Sequence, residues 1–199
     1  METLRSILAV FAGSVLAVAC GASPSADAVA ASANVKVPAS PWTFTKTPAA
    51  FANYSIAAPA PAFAVLNFEM TSRGSKDFAV TQMAFMITGT VQVGDLANFQ
   101  LVYFADGLKK PGVVVGTNDG STWTPGATTS IVPIDLATPI VLNQNFKGDF
   151  ALNVDVNGTA KFFFSPQLST VTIDVAGVPQ LLVGGTCDLP LPGDQFNVN

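Results

Sequence analysis

Apolar residues in this chain alternate with a period of two over many short stretches, and no long helical period appears, so the pattern predicts an all-β fold. The stretch around which the rest is organised is Asp77 to Thr90, DFAVTQMAFMITGT. Phe78 and Val80 share one parity, and Met83, Phe85 and Ile87 share the other. The apolar face therefore switches near Thr81-Gln82, as it does across a β-bulge or in a strand buried on both faces. Either reading makes the strand central, with Phe63 to Met70 before it and Phe99 to Phe104 after it as further apolar strands. The clearest alternation comes later, where Phe150, Leu152, Val154 and Val156 face in and Ala151, Asn153 and Asp155 face out. Asn157-Gly158 then predicts a type I′ hairpin into Ala160 to Phe164, followed by a strand carrying Val171, Ile173 and Val175.

Turn signals punctuate these strands at short intervals: Ser72 to Lys76, Gly94-Asp95, Asp106-Gly107, Pro111-Gly112 and Asn118-Asp119-Gly120. Val113 to Val115, Ile131 to Leu136 and Ile140 to Leu142 read as short strands, and Pro133 and Pro139 place the last two at sheet edges. The Ser/Thr/Gly loop running to Thr129 is expected to expose Trp123. The succession of Asp77 to Gly89, Asp95 to Val102 and Ile140 to Val156 resembles an immunoglobulin-like β-sandwich module of secreted and cell-surface prokaryotic proteins. That resemblance covers residues 62–185 and implies a single antiparallel β-sandwich and an exported location. It carries no catalytic residues to transfer.

The flanks add processing and attachment. Arg5 precedes an uncharged apolar run, Ile7 to Ala22, which is short for a membrane span and fits a signal segment over residues 1–28. Two cleavage sites compete. Leu16-Ala17-Val18-Ala19-Cys20 resembles a lipobox, with cleavage before Cys20 and lipidation of its thiol; Ala26-Asp27-Ala28 is an ordinary signal cleavage site that discards Cys20. Residues 29–61 form an Ala/Pro-rich tether with two alternating pieces, one carrying Val35 and Val37 and the other Trp42 and Phe44. Each is an edge strand of its own domain or a donor strand for a neighbouring copy. Residues 186–199 read as a Pro-containing tail holding Cys187, and export permits a Cys20–Cys187 disulfide if Cys20 survives unlipidated.

Composition narrows the function classes. Of 199 residues 49% are apolar and only 11% charged, with mean hydropathy +0.45, so the surface has little charge to keep copies apart. The formal charge is -4 with scattered basic residues, which argues against nucleic acid. No histidine is present, which removes Ser-His-Asp and Cys-His chemistry and the histidine zinc sites. Glu69 is the only glutamate after the signal, so a paired-carboxylate glycosidase would need an Asp across a cleft. No cofactor is implied. The expectation is a non-enzymatic, exported structural or adhesive cell-surface protein that self-assembles by strand addition, with copies of itself or other surface proteins as partners. Membrane contact would come only through a lipid on Cys20. The alternative is a carbohydrate-binding surface lipoprotein that stacks polysaccharide on Trp123. Phe outnumbers Trp and Tyr fifteen to two and two, which favours core filling over sugar platforms.

Overall fold

The computed structural model describes residues 19–20, 42–47, 55–73, 77–105, 107–108, 111–121, 123–124, 131–143, 146–158, 160–185 and 187–199. Thirteen strands appear among them: β1 (Ala19–Cys20), β2 (Trp42–Lys46), β3 (Ser55–Ile56), β4 (Ala60–Ser72), β5 (Phe78–Gly89), β6 (Leu96–Phe104) and β7 (Val113–Asn118) in the first part of the chain. They are followed by β8 (Ile131–Leu142), β9 (Lys147–Val156), β10 (Phe162–Val175), β11 (Val178–Gly185), β12 (Leu191–Pro192) and β13 (Phe196–Val198). The fold is all-β and mostly antiparallel, as the alternation predicts. The expected pair of separate sheets is replaced by one hydrogen-bonded path, β1-β11-β10-β5-β8-β7-β6-β9-β4-β2, curled into a half-barrel.

The organising strand is central. β5 pairs with β10 on one side and β8 on the other, and its register slips between Val80 and Gln82 against β8, where the apolar parity switches. Phe78, Val80, Met83, Phe85 and Ile87 are all buried, because the bulge returns both parities to the same interior. β8 is one continuous strand rather than two. Its residues Ile131 to Asp135 and Ile140 to Leu142 pair with β5, and between them Leu136 leaves β5 to pair with Gly116 of β7. That single register joins the two halves of the sheet. A Cβ on Gly116 would stand 2.5 Å from the Asp135 carbonyl oxygen and 2.7 Å from Ile134 Cγ2, so only glycine lets the strands approach there.

Two local expectations fail. Asn157-Gly158 does not close a β9–β10 hairpin, because β9 already pairs with β4 on one side and β6 on the other and has no edge left to offer. The segment instead crosses between the halves, with the Asn157 amide donating to the Asp95 carbonyl at 2.8 Å. The two-residue hairpin of this region is Ala176-Gly177, both at positive φ, joining β10 to β11 at the Val175–Val178 pair. The C-terminal segment is not a tail. β12 and β13 pair with β10, and Cys187, Leu189, Leu191, Phe196 and Val198 are buried.

An aromatic layer fills the space between the halves. Phe68 of β4 stacks on Phe150 of β9 with centroids 5.4 Å apart, and reaches across to Phe85 of β5 at 6.4 Å. At the other end of the core Phe196 stacks on Phe164 at 5.3 Å and meets Phe63 edge-on at 5.9 Å. Phe85 is fully buried, whereas Phe163 in the alternating run of β10 is 40% exposed. Phe85→Ala should therefore lower unfolding stability by about 3 to 5 kcal/mol, and Phe163→Ala should change it by no more than about 0.5 kcal/mol. Equal denaturation midpoints for the two variants would refute this core.

Candidate functional site

The residues singled out by sequence end up in four different places. Val35 and Val37 lie outside the described residues. Trp42 and Phe44 belong to β2, which pairs antiparallel with the chain's own β4 through Trp42–Ser72, Phe44–Met70 and Lys46–Phe68. Phe44 is buried, and the Trp42 ring packs edge-on against Phe78. An ion pair between Lys46 and Asp194 ties β2 to the segment between β12 and β13. Within one chain this strand completes its own core.

Trp123 is not exposed. It is buried edge-on against Phe99 at 5.6 Å, its backbone amide donates to the Gly120 carbonyl, and its indole N–H is buried without an acceptor among the described residues. The loop that was expected to present the ring instead folds it beneath β6, because an indole gains more by packing on Phe99 than by standing in water. No stacking platform remains at that position. Cys187 is buried and disulfide-bonded, and the chain has one other cysteine, Cys20, on β1. β1 runs parallel to β11 with Cys20 registered against Gly185, two residues before Cys187.

Glu69 lies on the outward parity of β4, directly opposite Asp149 of β9, and forms an ion pair with Lys147 at 2.6 Å. Burial, and then the negative charge of Glu69, hold the Asp149 carboxyl above its ordinary range, with Lys147 opposing. Lys147 is itself held above the usual range by its hydrogen bond and charge interaction with Glu69. The two carboxylates sit on one strand-paired face, not across a cleft. Among the described residues no three His, Cys, Asp or Glu side chains gather as a metal site.

Sequence reading passed over a sheet edge at the seam. β7 pairs with β6 through Tyr103–Val113 and Val102–Val114, but among the described residues it meets β8 only at Gly116–Leu136. Val113 is 65% exposed and Val114 50%, so two successive residues, pointing to opposite faces, are both uncovered. Beyond Leu136, β8 presents exposed Ala137, Thr138 and Pro139, and Val141 is 64% exposed. The signal was visible as three β-branched residues in a row after Pro111-Gly112, with no charge among them. Such a run reads equally well as a fully buried strand.

No family model matches this chain, and no curated protein matches it. Distant structural likenesses include a PapD-like domain of human CEP192, at 9% identity over 87% of this chain and 94% of that one, TM-score 0.28. The bacterial hydrophobin BslA shares 12% identity over 73% of this chain and 92% of its own, TM-score 0.27. AvmM, which catalyses macrocyclization in alchivemycin A biosynthesis, shares 13% identity over 79% and 87%, TM-score 0.34.

The carboxylate pair makes a pH prediction. The folded chain holds the Asp149 proton more tightly than the unfolded chain, so this group stabilises at low pH, and that contribution is lost as pH rises through the raised folded value. Asp149→Asn keeps the side chain neutral throughout. Its stability relative to the parent should therefore increase as pH rises from about 3 to about 7, across the carboxylate range. A difference in unfolding free energy that stays flat over that range would show that Asp149 feels neither burial nor Glu69.

Proposed function

We propose that this chain is a non-enzymatic, exported structural or adhesive cell-surface protein, an immunoglobulin-like β-sandwich in arrangement, whose copies join by strand addition at the β7 edge. The observation that carries the reading is the uncharged, apolar edge at Val113 and Val114, exposed on both faces and, among the described residues, unpaired toward β8. Sheet edges are ordinarily blunted by charge, because an unpaired row of N–H and C=O groups recruits other strands. This edge carries none, on a chain with 11% charged residues. With Trp42 and Phe44 engaged at home, the piece left to donate is the alternating Asn34-Val35-Lys36-Val37 of a second copy.

The expected behaviour is concentration-dependent polymer formation by the mature protein in sedimentation velocity. Val114→Lys should leave the unfolding midpoint unchanged, since an exposed surface change is worth about 0.5 kcal/mol or less, and should hold the protein as a monomer. A parent protein that stays monomeric at millimolar concentration, or a Val114→Lys variant that polymerises like it, would end this reading.

Anchoring follows from the cysteines. Used as the partner of Cys187, Cys20 has no thiol left to carry a lipid, and cleavage after Ala28, which would discard Cys20, does not occur. We therefore expect the exported protein to be unlipidated, with intact mass spectrometry showing residue 20 present and a gain of two protons on reduction. A mature N-terminus beyond residue 28, or a diacylglyceryl adduct on Cys20, would overturn this.

A further inference from the structure

A cleft of about 220 Å³ opens where β6 begins and β7 ends, lined by the polar residues Asn98, Gln100, Thr117, Asn118 and Asp119. It owes its shape to a bulge. The register of β6 against β9 slips between Ala97 and Gln100, and Asn98 takes a left-handed φ of 51° there. Asp155 holds that conformation: its Oδ2 accepts from Asn98 Nδ2 at 2.7 Å, while its Oδ1 accepts from the backbone amide of Ala62, another left-handed residue, at 2.7 Å. The Asn98 amide donates to the Asp119 carbonyl, which fixes the far wall. Asn118 is spent on the scaffold, with its Nδ2 donating to the Pro133 carbonyl and its Oδ1 accepting from the Gly120 amide.

What remains free in the cleft is a mixed set of donors and acceptors. Gln100 and Thr117 face each other in register, so a full amide and a hydroxyl stand side by side, neither with a partner among the described residues. Asn153 continues the same row on β9, and its Oδ1 is buried with no donor among the described residues. Asp119 accepts from the Ser121 amide through Oδ1, and its hydrogen bonds with Ser121 keep it ionised below the usual range.

We infer that this cleft binds a neutral polyhydroxylated ligand, a saccharide chain. Among the described residues that line it there is no lysine or arginine, and Asp119 is anionic, which repels phosphates and acidic polymers. Among the described residues that line it there is no large apolar side chain to seat a greasy ligand. A hydroxyl, which donates and accepts at once, matches an amide, a second hydroxyl and a carboxylate together. Because Asn98 and Asp119 are already held by backbone and side-chain bonds, little ordering is lost on binding. This inference is independent of the assembly reading and uses neither Trp123 nor the β7 valines.

The test is titration calorimetry of the full chain with maltohexaose, cellohexaose and chitohexaose. At least one should bind, with an affinity insensitive to salt. Gln100→Ala and Thr117→Val should each weaken it about tenfold, the loss expected for one hydrogen bond, with unchanged unfolding midpoints. Val114→Lys, which lies outside the cleft, should leave binding as it was. Absence of heat with all three sugars, or binding that survives both cleft substitutions, would overturn the inference.

Discussion

The structure depends on one contact across its interior, that of Phe68 on β4 with Phe85 on β5. These strands belong to opposite halves of a single curled sheet, and they are separated along the hydrogen-bonded path by β8, β7, β6 and β9. The sheet curls because both halves carry apolar faces that only the other half can cover. Phe150 thickens the layer behind Phe68, and the bulge in β5 turns Met83, Phe85 and Ile87 toward the same interior as Phe78 and Val80. Burial of side chains this large contributes about 1.5 to 3 kcal/mol each, which is why a chain with only 11% charged residues can hold a core.

Curling has a consequence at the seam. At the corner β8 releases β5 for a few residues and, among the described residues, registers with β7 at Gly116, with Asn118 Nδ2 also donating to the Pro133 carbonyl. The glycine permits the crossing, and the departure of β8 leaves the first half of β7 with one strand neighbour, β6, among the described residues. The exposed valines are thus a product of the same geometry that closes the core. On the opposite side of the molecule, Lys46 and Asp194 draw β2 toward the C-terminal strands, so that side is tied by charge where the seam is tied by shape.

Asp155 shows how a residue on the polar parity of a strand shapes its neighbours. It lies on β9, between β4 and β6, and its two carboxylate oxygens each hold a bulge on a flanking strand, at Ala62 and at Asn98. A carboxylate accepting two such bonds offsets the strain of two left-handed residues that glycine would otherwise be needed to supply. The polar cleft exists because one of those bulges turns Asn98 outward.

Much of this was written in the order of residues. The period of two determined the all-β class, the parity switch at Thr81-Gln82 marked where β5 either bulges or is buried on both faces, and Phe150 to Val156 determined which face of β9 is buried; the register against β8 decided for the bulge. These are local properties, since side chains on a strand alternate whatever the strand pairs with. Pairing itself was decided by tertiary structure. Asn157-Gly158 has the chemistry of a hairpin, yet β9 found partners on both sides and the turn became a crossing; Cys187 to Val198 has the composition of a tail, yet β10 had an edge to give it. Trp123 was buried because Phe99 lay beneath its loop, and Val113 and Val114 stayed exposed because β8 left the seam. A sequence determines which way each side chain points along its own strand; only the assembled sheet decides which edges are filled and which aromatic ring is covered, because those depend on partners distant in the chain.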